Sequence, residues 1–376
     1  MNSIKILLII FPVIIILILI SLLIILLNKS YKKKGRITYF KCSEKPNGTI
    51  MNDIFKKENI KKGNGYNLYL PCGYNNVETE LLNVMDTNKL KYVFGLKGCD
   101  TIVSKNSLWD LLEKSFGREK AKNIMPESFV LNNREHINLL VNKFINNPEL
   151  IVICKKNIQR KNGLLLINNV DQISNAIKED YKVAQIYKKD LLLIMDRKVN
   201  LRIYLLIVVD ENNRLTAYIN KKGKCLYTNK KYNGNNMDFE SNITSFNVDQ
   251  DLYKTYPHTL NDLGIYLNKM GYNWRNIWFE IENIFKFVMK ASYQNFKKPD
   301  NLKNKICFQL FGADIILDKN GKPYILEINK GPDMVPKFDK DYGLKRNVYN
   351  ETFNKLGLTK SKKNDYQKIF NQELNK

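Results

Sequence analysis

Residues 307–332, CFQLFGADIILDKNGKPYILEINKGP, constrain this chain more than any other stretch. Two apolar runs flank Lys319-Asn320-Gly321, the pattern of a β-hairpin whose Asn-Gly supplies the positive φ angles. Alternation along the second run predicts Leu326 and Ile328 on one face, with Glu327 and Asn329 on the other. Asp314 falls in the middle of the first run, where a charge is costly unless it is paired or bound to a cation. Asp314, Glu327 and Asn329 then bring three hard oxygen donors together from two strands. Mg2+ favours such a set and completes its shell with water and substrate phosphates. The plainer alternative is an edge hairpin with a solvated polar face, and the hairpin alone leaves both open.

The chain has 376 residues, enough for a tether and two or three packed lobes. Residues 6–27 are almost unbroken apolar sequence, about the length needed to cross a bilayer core. No small-x-small cleavage site follows, so the expectation is a retained transmembrane helix rather than a signal peptide. Lys29, Lys32, Lys33, Lys34 and Arg36 come after it and only Lys5 before it. The positive-inside rule therefore predicts a single-pass membrane protein with its N-terminus outside and its catalytic region cytosolic. A polar, lysine-rich and partly ordered connector is expected over 28–65, a catalytic region over 66–336 and a charged tail, helical in parts, over 337–376.

The six cysteines are scattered with no C-x-x-C and no zinc spacing, which fits a reducing compartment. Two histidines leave little room for a histidine-based metal site or triad. The net charge of +24 suggests nucleic acid, but no RNA- or DNA-binding signature accompanies the evenly spread lysines. A solvated, lysine-rich surface is the plainer account, and its excess charge would still attract an acidic partner such as a carboxylate-rich protein tail or anionic lipid.

Upstream of the hairpin, strand-like runs are expected at 150–154, 164–167, 183–187, 191–194, 201–209 and 215–219. Helical spacing marks 108–116, 137–144 and 278–290, the last with Ile281, Ile284, Phe285 and Val288 on one face. This order of blocks indicates an α+β fold. Lys155 ends its strand, and Gln159-Arg160-Lys161-Asn162-Gly163 forms a basic turn able to fold over phosphates. Gln185 and Tyr187 close a strand where amides can meet an adenine edge. In RKVNLRIY, alternation places Lys198, Asn200 and Arg202 on one face and Val199, Leu201 and Ile203 on the other. Two cations and an amide in a row suit a triphosphate; a half-exposed edge strand is the plainer account.

From about residue 92 to 332 the chain resembles the tubulin–tyrosine ligase-like family of ATP-grasp enzymes. Six landmarks occur in order: GCDTIVSKNSLW, MPESFVL, VICKKNIQRKNGLLLI, the 185–204 block, TSFNVD and the closing hairpin. The resemblance implies an ATP-grasp-type fold, ATP and Mg2+ as cofactors, and an amide ligase working through an acylphosphate. It implies that Lys198 and Arg202 are catalytic. Lys105, Lys155, Lys161, Gly163, Gln185, Tyr187, Lys198 and Asn200 would hold the nucleotide, and Asp314, Glu327 and Asn329 the metal. The substrates it implies are an amino acid and an acidic protein acceptor such as a tubulin tail.

The chain departs from the family pattern at several positions. Lys156 stands for proline, Asn200 for the aspartate of K-F-D-L-R, Leu226 for an arginine that orients the substrate carboxylate, and Ser245 for the asparagine of L-T-N. Lys224 is the candidate to compensate at 226. These departures keep two rivals open: a tethered pseudoenzyme that binds nucleotide without turnover, and a basic membrane-associated scaffold.

Overall fold

A computed structural model of the protein describes residues 19–21, 37–42, 48–73, 76–157, 163–234, 236–244, 248–361 and 363–375. Its frame is an eleven-stranded sheet built around one antiparallel pair, Arg197–Val209 and Ile306–Leu317. The two run side by side from Asn200 opposite Ile316 to Val209 opposite Cys307. The period-2 pattern explains how the longer strand is used. Val199, Leu201, Ile203, Leu205, Ile207 and Val209 all enter one apolar core. On the other face Tyr204 and Leu206 enter a second core, while Lys198, Asn200 and Arg202 line a cleft.

Outward from this pair lie Arg214–Asn220 and Tyr366–Glu373 on one side. Tyr92–Phe94, Leu68–Leu70, Thr38–Lys41 and Lys61–Lys62 lie on the other. Leu193–Ile194 and Lys224–Tyr227 pair with the near end of Arg197–Val209, and Pro323–Lys330 pairs with Ile306–Leu317. Helices Lys105–Phe116, Leu260–Lys269 and Trp274–Ser292 cover the first core. The longest of them buries Ile277, Ile281, Ile284, Phe285, Val288 and Met289 and starts where Asn273 accepts the Asn276 N–H at 3.1 Å. Side chains of this size stabilise the fold by about 1.5–3 kcal/mol each when fully buried. Helices Thr49–Lys57 and Asp339–Lys355 cover the other face, with Phe55 against Phe353.

A second, antiparallel sheet has the order Ser128–Val130, Val183–Ile186, Val152–Lys155, Leu164–Ile167. Helices Arg134–Asn146 and Asp171–Lys178 pack on one side of it. The other side faces the large sheet, and the cleft lies between them.

Four expectations change. No helix among the described residues is long and apolar enough to cross a membrane, so the single-pass placement with a cytosolic catalytic region does not stand. Of residues 6–27, only 19–21 are described. Parts of the stretches set apart as connector and tail belong to the sheet and its cover, through Thr38–Lys41, Thr49–Lys57, Lys61–Lys62, Asp339–Lys355 and Tyr366–Glu373. Cys42 and Cys72, read as ordinary thiols, form a disulfide across 30 residues, while Cys99, Cys154, Cys225 and Cys307 are buried and free. In the hairpin turn only Gly321 takes a positive φ, 82°. The Asp318 carboxylate accepts the N–H groups of Asn320 and Lys322, which closes a loop longer than a two-residue Asn-Gly turn.

Candidate active site

The register of four strands places four charged residues in one lateral row. Lys224 lies opposite Arg202, Arg202 opposite Asp314, and Asp314 opposite Glu327. Neighbours in such a row are one strand spacing apart, about 4.8 Å, so each side chain feels the next. Arg202 grips Asp314 with two parallel bonds, Nε to Oδ1 at 2.6 Å and Nη2 to Oδ2 at 3.2 Å. Asn329 lies opposite Gly312, and its amide donates to Glu327 Oε1 at 3.0 Å. A side chain at Gly312 would meet Pro332 Cβ at 2.8 Å and Arg202 Cδ at 3.1 Å. The bare α-carbon is what lets Arg202 and Pro332 close over the strand.

A β-bulge between Asp314 and Ile315 shifts the pairing of Pro323–Lys330. Strict alternation had put Leu326 on the face away from Glu327. The extra residue instead lets Leu326, Glu327 and Asn329 all line the cleft, while Ile328 remains in the core.

Lys155 rises from the small sheet toward the same place. Its ammonium donates to Gln185 Oε1 at 2.8 Å and to the Leu326 carbonyl at 3.4 Å, bridging the two sheets. Lys198 donates to the Asn242 carbonyl at 2.8 Å and to the Tyr187 hydroxyl at 3.2 Å. Lys105 Nζ stands 3.9 Å from Glu327 Oε2. Burial pulls the Lys155 ammonium down to about 8, opposed by Glu327. Burial, helped by the charge of Lys155, takes Lys198 down to about 7. Burial also opposes the Arg202 charge, but Asp314 outweighs it and holds the guanidinium above its ordinary value. Asp314 is raised by burial, with Glu327 adding to the rise and Arg202 opposing it. Glu327 is lowered: burial opposes its charge, and Lys105 and Lys155 more than offset that.

The cleft these residues line encloses about 580 Å³. Of the residues expected there, Lys105, Lys155, Lys198, Asn200, Arg202, Asp314, Glu327 and Asn329 are brought together. Lys161 and Ser245 lie outside the described residues, and Gly163 pairs with Lys156 beside the cleft without lining it. Gln185 and Tyr187 are not lining residues. The Gln185 carboxamide accepts from Lys155 and donates to Ser128 and the Pro126 carbonyl, and the Tyr187 hydroxyl accepts from Lys198 and donates to Asn242. Both orient lysines from beneath.

Two features suit a divalent cation with a polyphosphate. Asp314 and Glu327 face each other on paired strands, and Asn329 adds a third oxygen-bearing group beside them. Asn200 Oδ1 is buried on the cleft wall with no hydrogen-bond partner among the described residues, an acceptor that a ligand hydroxyl or N–H would satisfy. The cluster Asp110, Glu113 and His136 has a different character. His136 Nδ1 accepts the Val130 N–H at 3.0 Å, so Nε2 keeps its proton and donates to Glu113 at 3.1 Å. A metal on that nitrogen would have to displace a committed proton.

No motif or spacing signals the group beside Lys224. Asp341, fully buried at the start of Asp339–Lys355, binds Lys224 at 2.7 Å and Lys345 at 3.0 Å. Burial works against its charge, but His258, Lys224 and Lys345 hold the carboxyl well below the usual range. Lys224 is therefore partly neutralised, and Leu226 leaves the neighbouring wall apolar.

Three relatives set this geometry in context. The chain is 26% identical over 235 residues to the probable beta-tubulin polyglutamylase of Tetrahymena thermophila, covering 56% of this chain and 19% of that protein. It is 23% identical over 265 residues to the probable tubulin polyglutamylase ttll-9 of Caenorhabditis elegans, covering 63% and 59%. It is 26% identical over 291 residues to the probable alpha-tubulin polyglutamylase Ttll1 of Tetrahymena thermophila, covering 67% and 68%. The chain thus spans from a fifth to about two thirds of the length of these relatives. The model of the tubulin-tyrosine ligase family matches residues 85–365, from before Tyr92–Phe94 to the threshold of Tyr366–Glu373. That match takes in the whole of the smaller sheet, the central strands of the larger one and every described residue of the cleft, and the chain belongs to the tubulin-tyrosine ligase family.

Proposed function

We propose that the protein is an ATP- and Mg2+-dependent ligase that joins an amino acid, glutamate by likeness to its relatives, to a carboxylate of an acidic protein such as tubulin. The observation that carries this reading is the lateral row Arg202–Asp314–Glu327, with Lys198 on the same strand face as Arg202 and Lys155 reaching in from the opposite sheet. An acceptor carboxylate oxygen attacks the γ-phosphorus of ATP, and the bond to ADP breaks. The amino acid nitrogen, having lost its ammonium proton to solvent, then attacks the acyl carbon of the acylphosphate; a C–N bond forms, phosphate leaves with the C–O electron pair, and the nitrogen releases a second proton to become the amide. No protein nucleophile is required, so the work of the chain is to position and to neutralise. Asp314, Glu327 and Asn329 would hold the magnesium, which supplies charge neutralisation at the phosphate oxygens. Lys155 and Lys198 bind phosphate oxygens, and Arg202, fixed by Asp314, faces the reacting carboxylate.

ADP release by the full chain should require Mg2+, L-glutamate and an acidic tubulin-tail peptide together. Release that ignores the amino acid and the peptide contradicts ligation. One observation favours a binding-only protein instead. Asn200 and Leu226 are cross-strand partners, and both line the cleft where the family pattern has charged residues. Tight Mg-ATP binding without any turnover is the result that reading expects.

The lysines also predict a pH dependence. In the folded protein Lys198 lies near 7 against an ordinary 10.5, so the unfolded chain binds more protons across that window. Stability without nucleotide should therefore rise as pH rises from about 7 toward 10. Phosphate favours the charged ammonium, so Mg-ATP should bind more weakly at about pH 8.5 than at about pH 6.5. Calorimetry in two buffers of different ionisation enthalpy should record proton uptake on binding near pH 8. Binding with no proton uptake would contradict the placement of Lys198 at the phosphates.

A further inference from the structure

The cleft has a second end, beyond Arg202, that holds neither the metal set nor the phosphate lysines. Pro323–Lys330 ends at Gly331, whose φ of 85° turns the chain into Pro332, Asp333 and Val335. Gly331, Pro332, Asp333, Val335 and Lys337 all line the cleft. Pro332 and Arg202 sit against the same bare α-carbon of Gly312, so the turn carrying Asp333 lies at the flank of Arg202. On the other flank Lys224 stands opposite Arg202 in the register.

The turn is fixed from below by Asp341. Its Oδ2 accepts the Lys337 N–H at 3.0 Å, and Lys345, which it also binds, donates to the Val335 carbonyl at 2.7 Å. One buried carboxylate shared by two buried ammonium groups leaves positive charge in excess at this end, and both Lys224 and Lys345 reach the cleft surface. Asp333 is the opposite charge beside them: an exposed carboxylate on the cleft wall whose Oδ1 accepts the Val335 N–H at 2.9 Å.

We infer that this end is the subsite for the incoming free amino acid. Asp333 pairs with the α-ammonium, and the excess charge of Lys224 and Lys345 takes the α-carboxylate. The pairing matches a zwitterion, whose two charges are held close together by one carbon, with the turn 331–337 setting their separation. It also explains how the chain manages with Leu226: cationic charge comes from the lysine pair that Asp341 positions. The assignment rests on the ligase reading, because it presents the amino nitrogen to the carboxylate that Arg202 faces. Asp333 is here a specificity-determining residue and Asp341 a positioning residue.

The test is equilibrium binding of L-glutamate to the full chain loaded with Mg2+ and a non-hydrolysable ATP analogue, read by calorimetry. Asp333→Asn lies on an exposed turn, and its melting temperature and analogue affinity should match those of the parent protein. Its affinity for L-glutamate should fall about ten- to a hundredfold, the usual scale for losing a charged hydrogen-bond partner. N-acetyl-L-glutamate, which has no ammonium, should bind both proteins equally weakly. Isoglutamine, whose α-carboxylate is an amide, should bind the parent protein at least about tenfold more weakly than L-glutamate. No L-glutamate binding to the parent protein, undiminished binding to Asp333→Asn, or equal binding of isoglutamine and L-glutamate each overturns the subsite. The ligase reading fails separately, if L-glutamate binds as described and no amide forms.

Discussion

Glu327→Gln should lower ligase turnover by at least about a hundredfold while leaving the fold intact. The substitution keeps the size of the side chain and its contact with Asn329, but removes the anionic oxygens that face Asp314 and the magnesium position. Loss of supporting groups around a metal typically lowers affinity or activity by about 10–100-fold, and a direct ligand matters more. Glutamine also leaves Lys105 and Lys155 without the carboxylate that balances them. The change should therefore appear in magnesium dependence before it appears in nucleotide affinity. ADP release titrated with Mg2+, together with a melting curve, checks it. Unchanged turnover at low Mg2+ would remove Glu327 from the metal set.

Asp314→Ala should instead act on the fold. Arg202 is four-fifths shielded and held by two bonds to that single carboxylate. Removing one partner of a buried pair leaves the other charge uncompensated, at a cost of about 3–5 kcal/mol. Arg202 and Asp314 face each other in the longest strand pairing of the molecule, so the loss is felt in the centre of the sheet. A relaxed alternative exists for the guanidinium, because Glu327 is next in the row. The effect should therefore fall toward the lower figure, and denaturant unfolding measures it directly. A loss under about 1 kcal/mol, the scale of an exposed pair, would show that Arg202 is held by something other than Asp314. The two substitutions are neighbours on paired strands, yet one removes chemistry alone and the other removes the frame as well.

Much of this site was legible because it obeys period 2. Lys198, Asn200 and Arg202 on one face, with Val199, Leu201 and Ile203 opposite, is a direct consequence of pleating. The convergence of Asp314, Glu327 and Asn329 followed from the same rule. Leu326 did not, because a bulge adds a residue that no local pattern announces. Gln185 lies on its expected strand and Tyr187 just past the end of it at Ile186, but their partners come from other segments, and those partners decide their contacts with Lys155 and Lys198.

The outer strands were harder to read for a different reason. Thr38–Lys41 and Tyr366–Glu373 carry half-exposed, polar-rich patterns that resemble connector and tail, and their strand character comes from the edges they pair with. Helix Asp339–Lys355 reads as charged because its buried face is itself charged. Asp341, Lys345 and Glu351 point inward to Lys224, Val335 and Asn220, residues ten to 131 positions away. Polar contacts of this kind leave no spacing signal in a single sequence, and the Cys42–Cys72 disulfide is illegible for the same reason.

Intact mass spectrometry of an acidic tubulin-tail peptide, after incubation with the full chain, Mg2+, ATP and L-glutamate, tests the central claim most directly. The account predicts a mass gain of one or more glutamyl residues that requires ATP and vanishes with Glu327→Gln. A peptide of unchanged mass, under conditions where Mg-ATP is bound, would contradict it.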